Sequence, residues 1–257
     1  MKMFFVTSAD MPDGYGFSTF GIEHILWLAA LSLVIVAAAV AYKRLNDKHR
    51  KIMLKVVGVL VVFAEIIKDV ILIIKGEFGY GYLPFHLCGI NVLLIGFDLI
   101  KQTKIVRSFL YYFCIPGAML ALIFPNWTHM PCMNFFNIHS FTIHLLLAMY
   151  PVLLVTSGEA RPDVRDMPKC IGLLVALAIP IYFLNMAWGT NFMFLMKPDS
   201  GNPLEMFEKL LGSHLWGFPI LLPIVMFIMY IPLGIVHKRK KAESRMTETE
   251  EREKVTL

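Results

Sequence analysis

Seven apolar runs, at approximately 19–42, 52–75, 83–100, 106–124, 137–156, 168–188 and 214–236, constrain this chain more than any motif in it. A helix needs roughly 20 such residues to cross about 30 Å of hydrocarbon. Inside a bilayer the backbone must satisfy its own N–H and C=O groups, and a continuous apolar run does so as a helix. The expected fold is therefore all-α: a polytopic membrane protein, with a seven-transmembrane-helix bundle over residues 1–237 and a charged cytoplasmic tail over 238–257. Composition agrees, at 57% hydrophobic and 17% charged, against about 45–50% and about 25% in soluble domains. The tail, within "HKRKKAESRMTETEEREKVTL", is too polar to bury a core and is expected to be disordered. The first twenty residues lack a charged n-region followed by an apolar h-region and a cleavage site, so the first span is expected to serve as its own insertion signal. No internal repeat is visible, which disfavours an inverted-repeat transporter.

Orientation follows from the basic residues. On one side lie those of 43–51, 101–107, 161–169 and 238–241, fifteen in number; on the other are Lys2, Lys75, Lys197 and Lys209. The positive-inside rule puts the N-terminus out and the C-terminus in. It also accounts for the formal charge of +5 without nucleic acid as a partner. Four cysteines, Cys88, Cys114, Cys132 and Cys170, form no CxxC pair, so neither a disulfide framework nor a zinc ribbon is expected. Between the sixth and seventh runs, Asn202 and Pro203 begin a candidate interfacial helix with Leu204, Phe207, Leu210 and Leu211 on its apolar face.

Ionisable groups inside spans are costly and face the bundle interior or a wet cavity. Here they gather in the outer half: His24 in the first run, Glu65, Lys68 and Asp69 on one face of the second, His86, Cys88 and Asn91 at the start of the third, His139 and His144 in the fifth, and Asn185 and Asn191 around the end of the sixth. The inner half carries almost none. At ~1.5 Å per residue, Cys88 and His144 both fall about 8–10 Å below the outer surface. His86 is about 200° around the helix from Cys88, and His139 about 140° from His144, so neither pair shares a face.

A thiolate is a nucleophile, and a nearby imidazole both lowers the thiol pKa and carries protons. Cys88 with His144 meets that requirement, and Asn91, one turn after Cys88, is placed to hold a carbonyl or an oxyanion. A substrate entering sideways at the outer headgroup boundary is a lipid ester, giving acyl transfer through a thioester, passed to a second lipid or to water. His24 and Asn91 would position it, His86 and His139 would adjoin it, and Asn185 and Asn191 would line the rim. Two rivals stand beside this: a metal or haem site built from His24, His86, His144 and Cys88, and a transport cavity in which Glu65, Lys68 and Asp69 matter most. As a brace, that last trio would be an internal ion-pair network.

"FGIEHILWLAALSL", "YLPFHLCGINVLL", "YYFCIPGAMLALIFPNW" and "WGTNFMFLMKPDSGNPLEMF" resemble the YwaF family of bacterial integral membrane proteins, which is similar to the eukaryotic transmembrane protein 164 family. The resemblance covers all seven runs and ends before the tail. It implies an acyltransferase acting on phospholipids in the bacterial cell membrane, with no metal or organic cofactor. By motif the nucleophile carries over onto Cys88 and the histidine onto His144, seven residues before Pro151. A related group of fatty-acid ester hydrolases uses threonine in place of cysteine, so hydrolysis is the alternative outcome. "NFFNIHSFTIH" has two histidines where the pattern has one, and His139 therefore competes with His144 for the role.

Overall fold

α1 (Ile22–Arg44) is apolar on almost every side and buries only His24, Leu31 and Tyr42. Leu26, Leu33 and Val36 are more than half exposed on it. Such a helix is stable only where its surroundings are as apolar as its surface. The computed structural model describes residues 3–8, 10–12, 14–199 and 202–234, and among these there are helices and turns but no strand. The tail 238–257, with Lys238–Lys241, and Lys2 lie outside the described residues.

α2 (Asp47–Ile74) follows a two-residue turn, with the Asn46 side chain capping its N-terminus at His49 N–H. α3 (Leu87–Ile100) has only 14 residues. α4 (Lys104–Ile123), α5 (Phe135–Thr156), α6 (Met167–Trp188), the short α7 (Pro203–Leu211) and α8 (His214–Gly234) complete the chain. Among the described residues, five segments are long and apolar enough to cross a membrane: α1, α4, α5, α8 and the stretch Val164–Trp188 that contains α6. The charges on α2 and the shortness of α3 set those two apart.

α5 is the axis of the bundle, with α1, α2 and α4 packed around it and α3 set against α2. Lipid is as apolar as leucine, so close packing rather than water exclusion holds such helices together. Two prolines shape the centre. Pro116 lacks an N–H and its ring crowds the preceding turn, and α4 accommodates it with a π-helical turn at Leu110–Cys114. Pro151 leaves the Leu147 carbonyl of α5 without its helical donor, and the Cys114 thiol donates to that carbonyl instead, at 3.2 Å. The π turn and the freed carbonyl thus interlock α4 with α5.

The end where Lys and Arg cluster is polar inside, contrary to the expectation that it would hold almost no polar groups. Asp98 on α3 is fully buried; Arg107 Nε donates to both its oxygens at 3.0 and 3.1 Å, and Tyr150 O–H to one at 3.0 Å. Nearby, Lys104 and Ser108 hold Asp166, and Tyr42 O–H reaches the Glu159 carboxylate.

At the opposite end the N-terminal segment folds back over the bundle. Phe4 C=O accepts from Phe135 N–H at 2.7 Å, the Asn134 amide donates to Met3 and Val6 carbonyls, and Phe17 N–H donates to Thr128 C=O. Beside it α7 forms as its residues anticipate: Asn202 caps it, Pro203 starts it and Gly212 ends it at φ +73°. Leu204 and Phe207 are buried, while Leu210 and Leu211 stay exposed. The α7–α8 corner is closed by Glu208, which accepts from His214 N–H at 2.6 Å and from the His214 ring at 3.0 Å. Those bonds, the backbone one foremost, hold the Glu208 carboxyl below its ordinary value. A depressed carboxylate stabilises the corner above the unfolded pKa of about 4.3 and ceases to do so as pH falls through the folded value. Protection of the His214 amide, the exchange rate of a free amide at the same pH divided by its own, is expected to fall as pH drops below ~4.3 in the wild type. In Glu208→Gln the protection should be weaker at neutral pH and nearly flat with pH; equal profiles in the two proteins would remove this role.

Candidate functional site

The start of α3 is built by the sequence just before it. Leu83 and His86 are extended on either side of a tight turn at Pro84–Phe85, and a Cβ on Gly89 would come within 2.7 Å of the Pro84 Cα. Only glycine lets the chain double back so tightly onto the first helical turn, which accounts for the proline and glycine in "LPFHLCG". Gly89→Ala is expected to destabilise the protein by about 1–3 kcal/mol through overpacking and to displace Cys88 next to it. Thermal unfolding together with thiol labelling would read both effects, and an unchanged protein would contradict the close approach.

His86 occupies the N-cap, Cys88 the first turn, and Asn91 follows one turn on. At 14 residues α3 is about 21 Å long, short of the ~30 Å hydrocarbon thickness. If its other end reaches the Lys101 boundary, its N-terminus lies some 9 Å inside. That depth equals the one expected for Cys88, but for a different reason: the helix starts late, and Cys88 sits at its mouth rather than two turns along it.

Across from this mouth, α2 presents Glu65, Lys68 and Asp69. Lys68 pairs with Glu65 and, at 3.3 Å, with Asp69. His139 of α5 brings Nε2 to 3.5 Å from Glu65 Oε2. The Glu65–Lys68 pair lies within electrostatic reach of both Cys88 and His144. Glu65 lies nine residues from the end of α2 and His144 nine from the start of α5, a matched depth of about 14 Å.

His144 is buried, and its Nδ1 is 2.7 Å from the Ser140 carbonyl, which can only accept. Nδ1 therefore carries the hydrogen, and a neutral ring presents a bare Nε2 able to take a proton. Trp127 stacks on the ring at 5.3 Å and 14° and fixes its plane. Two buried polar atoms here have neither a hydrogen-bond nor an ion-pair partner among the described residues: Asn91 Oδ1 and Trp127 Nε1. Buried polar atoms are nearly always bonded, so such a group marks where water or a ligand belongs.

Other expected site residues are engaged elsewhere. His24 is fully buried; Nε2–H donates to Leu122 C=O at 2.8 Å and Nδ1 accepts from Phe20 N–H at 2.9 Å. Both nitrogens are used in clasping α1 to the end of α4. His86 Nδ1 accepts from Met193 N–H at 3.3 Å, and its ring packs on Phe192 and Phe194. Asn185 and Asn191 build that same outer loop: Asn185 bonds Thr190 and both backbone groups of Phe192, and Asn191 bonds Met196 and Lys197. Met193 and Phe194 adopt φ of +57° and +55°, a strained arrangement for residues with side chains, and these bonds hold it. The set His24, His86, His144 and Cys88 proposed for a metal does not gather: among the described residues no three His, Cys, Asp or Glu side chains are placed to hold an ion.

A family model covers residues 19–230, which takes in α1 to most of α8 together with the Cys88 mouth and the α2–α5 face. The chain belongs to the TMEM164 family. No curated protein and no solved structure matches the chain. The TMEM164 match leaves out the N-terminal segment and the tail, and makes the chain an integral membrane protein with multiple apolar helices.

Proposed function

We propose that this TMEM164-family protein is a membrane acyltransferase that carries a fatty acyl chain on Cys88 and uses His144 as general base and acid. What supports the reading is a thiol in the first turn of α3 and a buried histidine whose Nδ1–H is held by Ser140, each within electrostatic reach of the Glu65–Lys68 ion pair, with the unpartnered Asn91 Oδ1 and Trp127 Nε1 nearby. His144 Nε2 takes the Cys88 proton, and the sulfur attacks an ester carbonyl. The tetrahedral oxyanion is met by the unpaired N–H groups at the start of α3. Collapse breaks the ester C–O bond, and His144 returns the proton to the departing alcohol. A second lipid hydroxyl then gives its proton to His144 and attacks the thioester, regenerating the thiol; water in its place gives hydrolysis.

His139, with Glu65 and Lys68, orders the neighbouring charge rather than touching the acyl carbon. In this scheme all seven apolar segments cross the bilayer with the N-terminus outside, as the basic residues indicate. The N-terminal strap over the α5 end then favours substrate entry from the side, which suits a phospholipid. Proteoliposomes given a phospholipid with a labelled chain and an unlabelled lysophospholipid are expected to move label between them. Release of free fatty acid alone would make the protein a hydrolase, and neither product would count against the chemistry.

A further inference from the structure

The end of the bundle opposite Cys88 carries a recess of about 540 Å³ between the start of α4 and the α5–α6 loop, lined among others by Thr103, Lys104, Arg107, Ser108 and Arg161. We propose that it binds the phosphate of an anionic lipid headgroup.

Charge bookkeeping around the recess supports this. Two of the carboxylates nearby are paired with cations, Asp98 with Arg107 and Asp166 with Lys104; Glu159 accepts from the Tyr42 hydroxyl and Asp163 from the Arg165 N–H, and the basic residues Lys101, Arg161, Arg165 and Lys169 outnumber these two. The cations are not all consumed in return. Arg161 uses only Nε, on the Gly158 carbonyl at 3.3 Å, and makes no ion pair among the described residues. Arg107 spends Nε on Asp98 and Nη1 on the Glu159 carbonyl at 3.4 Å, leaving Nη2. Two guanidinium edges therefore remain at the start of a 20-residue helix, whose Ser108 hydroxyl is taken by Asp166 and whose Val106 N–H is taken by the Thr103 hydroxyl. Planar forked donors match the oxygens of a phosphate, and a helix start adds favourable dipole. The volume falls in the range that holds a small ligand. Two residues before the lining Gln102, Ile100 is 89% exposed, and two after the lining Pro162, Val164 is 43% exposed, apolar surface along which acyl chains would lie. Basic pockets between membrane helices are sites for such headgroups. The site is separate from Cys88 and stands whether or not acyl transfer occurs there.

The test uses the full chain purified in a neutral detergent, with thermal unfolding followed by tryptophan fluorescence. Phosphatidylglycerol is expected to raise the midpoint in a saturable way, and phosphatidylcholine is not. Arg161→Ala should weaken half-saturation about five-fold, the effect of one basic group near an anionic surface, and Arg161→Lys should recover part of it. Arg161 makes one long bond, so its loss should leave the lipid-free midpoint unchanged. Lys169→Ala, an exposed basic site outside the lining, should bind as the wild type does. An Arg161-dependent shift with inorganic phosphate but not with the lipid would assign the same anion chemistry to a soluble ligand and overturn the headgroup. No shift with either probe, a shift that survives Arg161→Ala, or an equal loss in Lys169→Ala would overturn the site.

Discussion

Cys88→Ala is expected to abolish acyl transfer while leaving a folded, membrane-inserted protein. The thiol is the only atom in the scheme that bonds the acyl carbon, so no other residue substitutes for it. Cys88 is half-buried at the helix mouth and makes no hydrogen bond that holds two elements together, unlike Cys114, whose thiol takes the place of the donor missing at Pro151. Alanine also suits a helix start sterically, so activity and stability should separate. His144→Gln is the companion experiment: glutamine can keep the contact with Ser140 but cannot take a proton. Its rate should fall by about 10²–10⁴-fold, the usual worth of a positioned general base, with the bound lipid unchanged. Comparing His139→Gln decides between the two histidines, because a residue that only orders charge should lose far less. Rates of labelled-chain transfer in proteoliposomes read all three, and a Cys88→Ala protein with wild-type turnover would defeat the nucleophile.

The second large effect lies at the other end of the bundle. Asp98→Ala removes a fully buried carboxylate, leaves the partly buried Arg107 without its counter-charge and strips Tyr150 O–H of its acceptor. Removing one partner of a buried ion pair costs about 3–5 kcal/mol, a fall in the unfolding midpoint on the order of 10 °C for a protein of this size. Replacing both members, as Asp98→Ala with Arg107→Met, should recover much of the loss, since no charge is then stranded. Thermal unfolding in detergent measures both. A double variant as unstable as the single one would mean that the carboxylate acts through something other than its pairing with Arg107.

Much of this architecture is written in hydropathy. The runs at 106–124, 137–156, 168–188 and 214–236 fall within a few residues of α4, α5, α6 and α8, because an uninterrupted apolar stretch has only one way to satisfy its backbone in lipid. Hydropathy cannot show where a helix begins inside such a run. The third run begins at residue 83, yet α3 starts at Leu87, because a tight turn at Pro84–Phe85 packs Pro84 against Gly89. Asp98 was passed over since it sits in an apolar run; the available signal was Arg107, across a short turn, which a buried carboxylate would need. The N-terminal strap left no periodic trace because its bonds are made by backbone carbonyls. A list of polar residues cannot say which of them have every polar atom engaged. His24, Asn185 and Asn191 do, on nearby backbone and Thr190; Asn91 leaves Oδ1 without a partner, and His144, with Nδ1 on Ser140, leaves Nε2.

The central claim is a covalent one, and the acyl-enzyme tests it most directly. Wild-type protein would be incubated with a phospholipid bearing a labelled acyl chain, quenched in acid, digested and read by mass spectrometry. The expected result is one acyl group on the peptide containing Cys88, released by neutral hydroxylamine and absent from Cys88→Ala. An enzyme that turns over with Cys88 unmodified, or that carries the acyl group on Cys114, Cys132 or Cys170 instead, would contradict it.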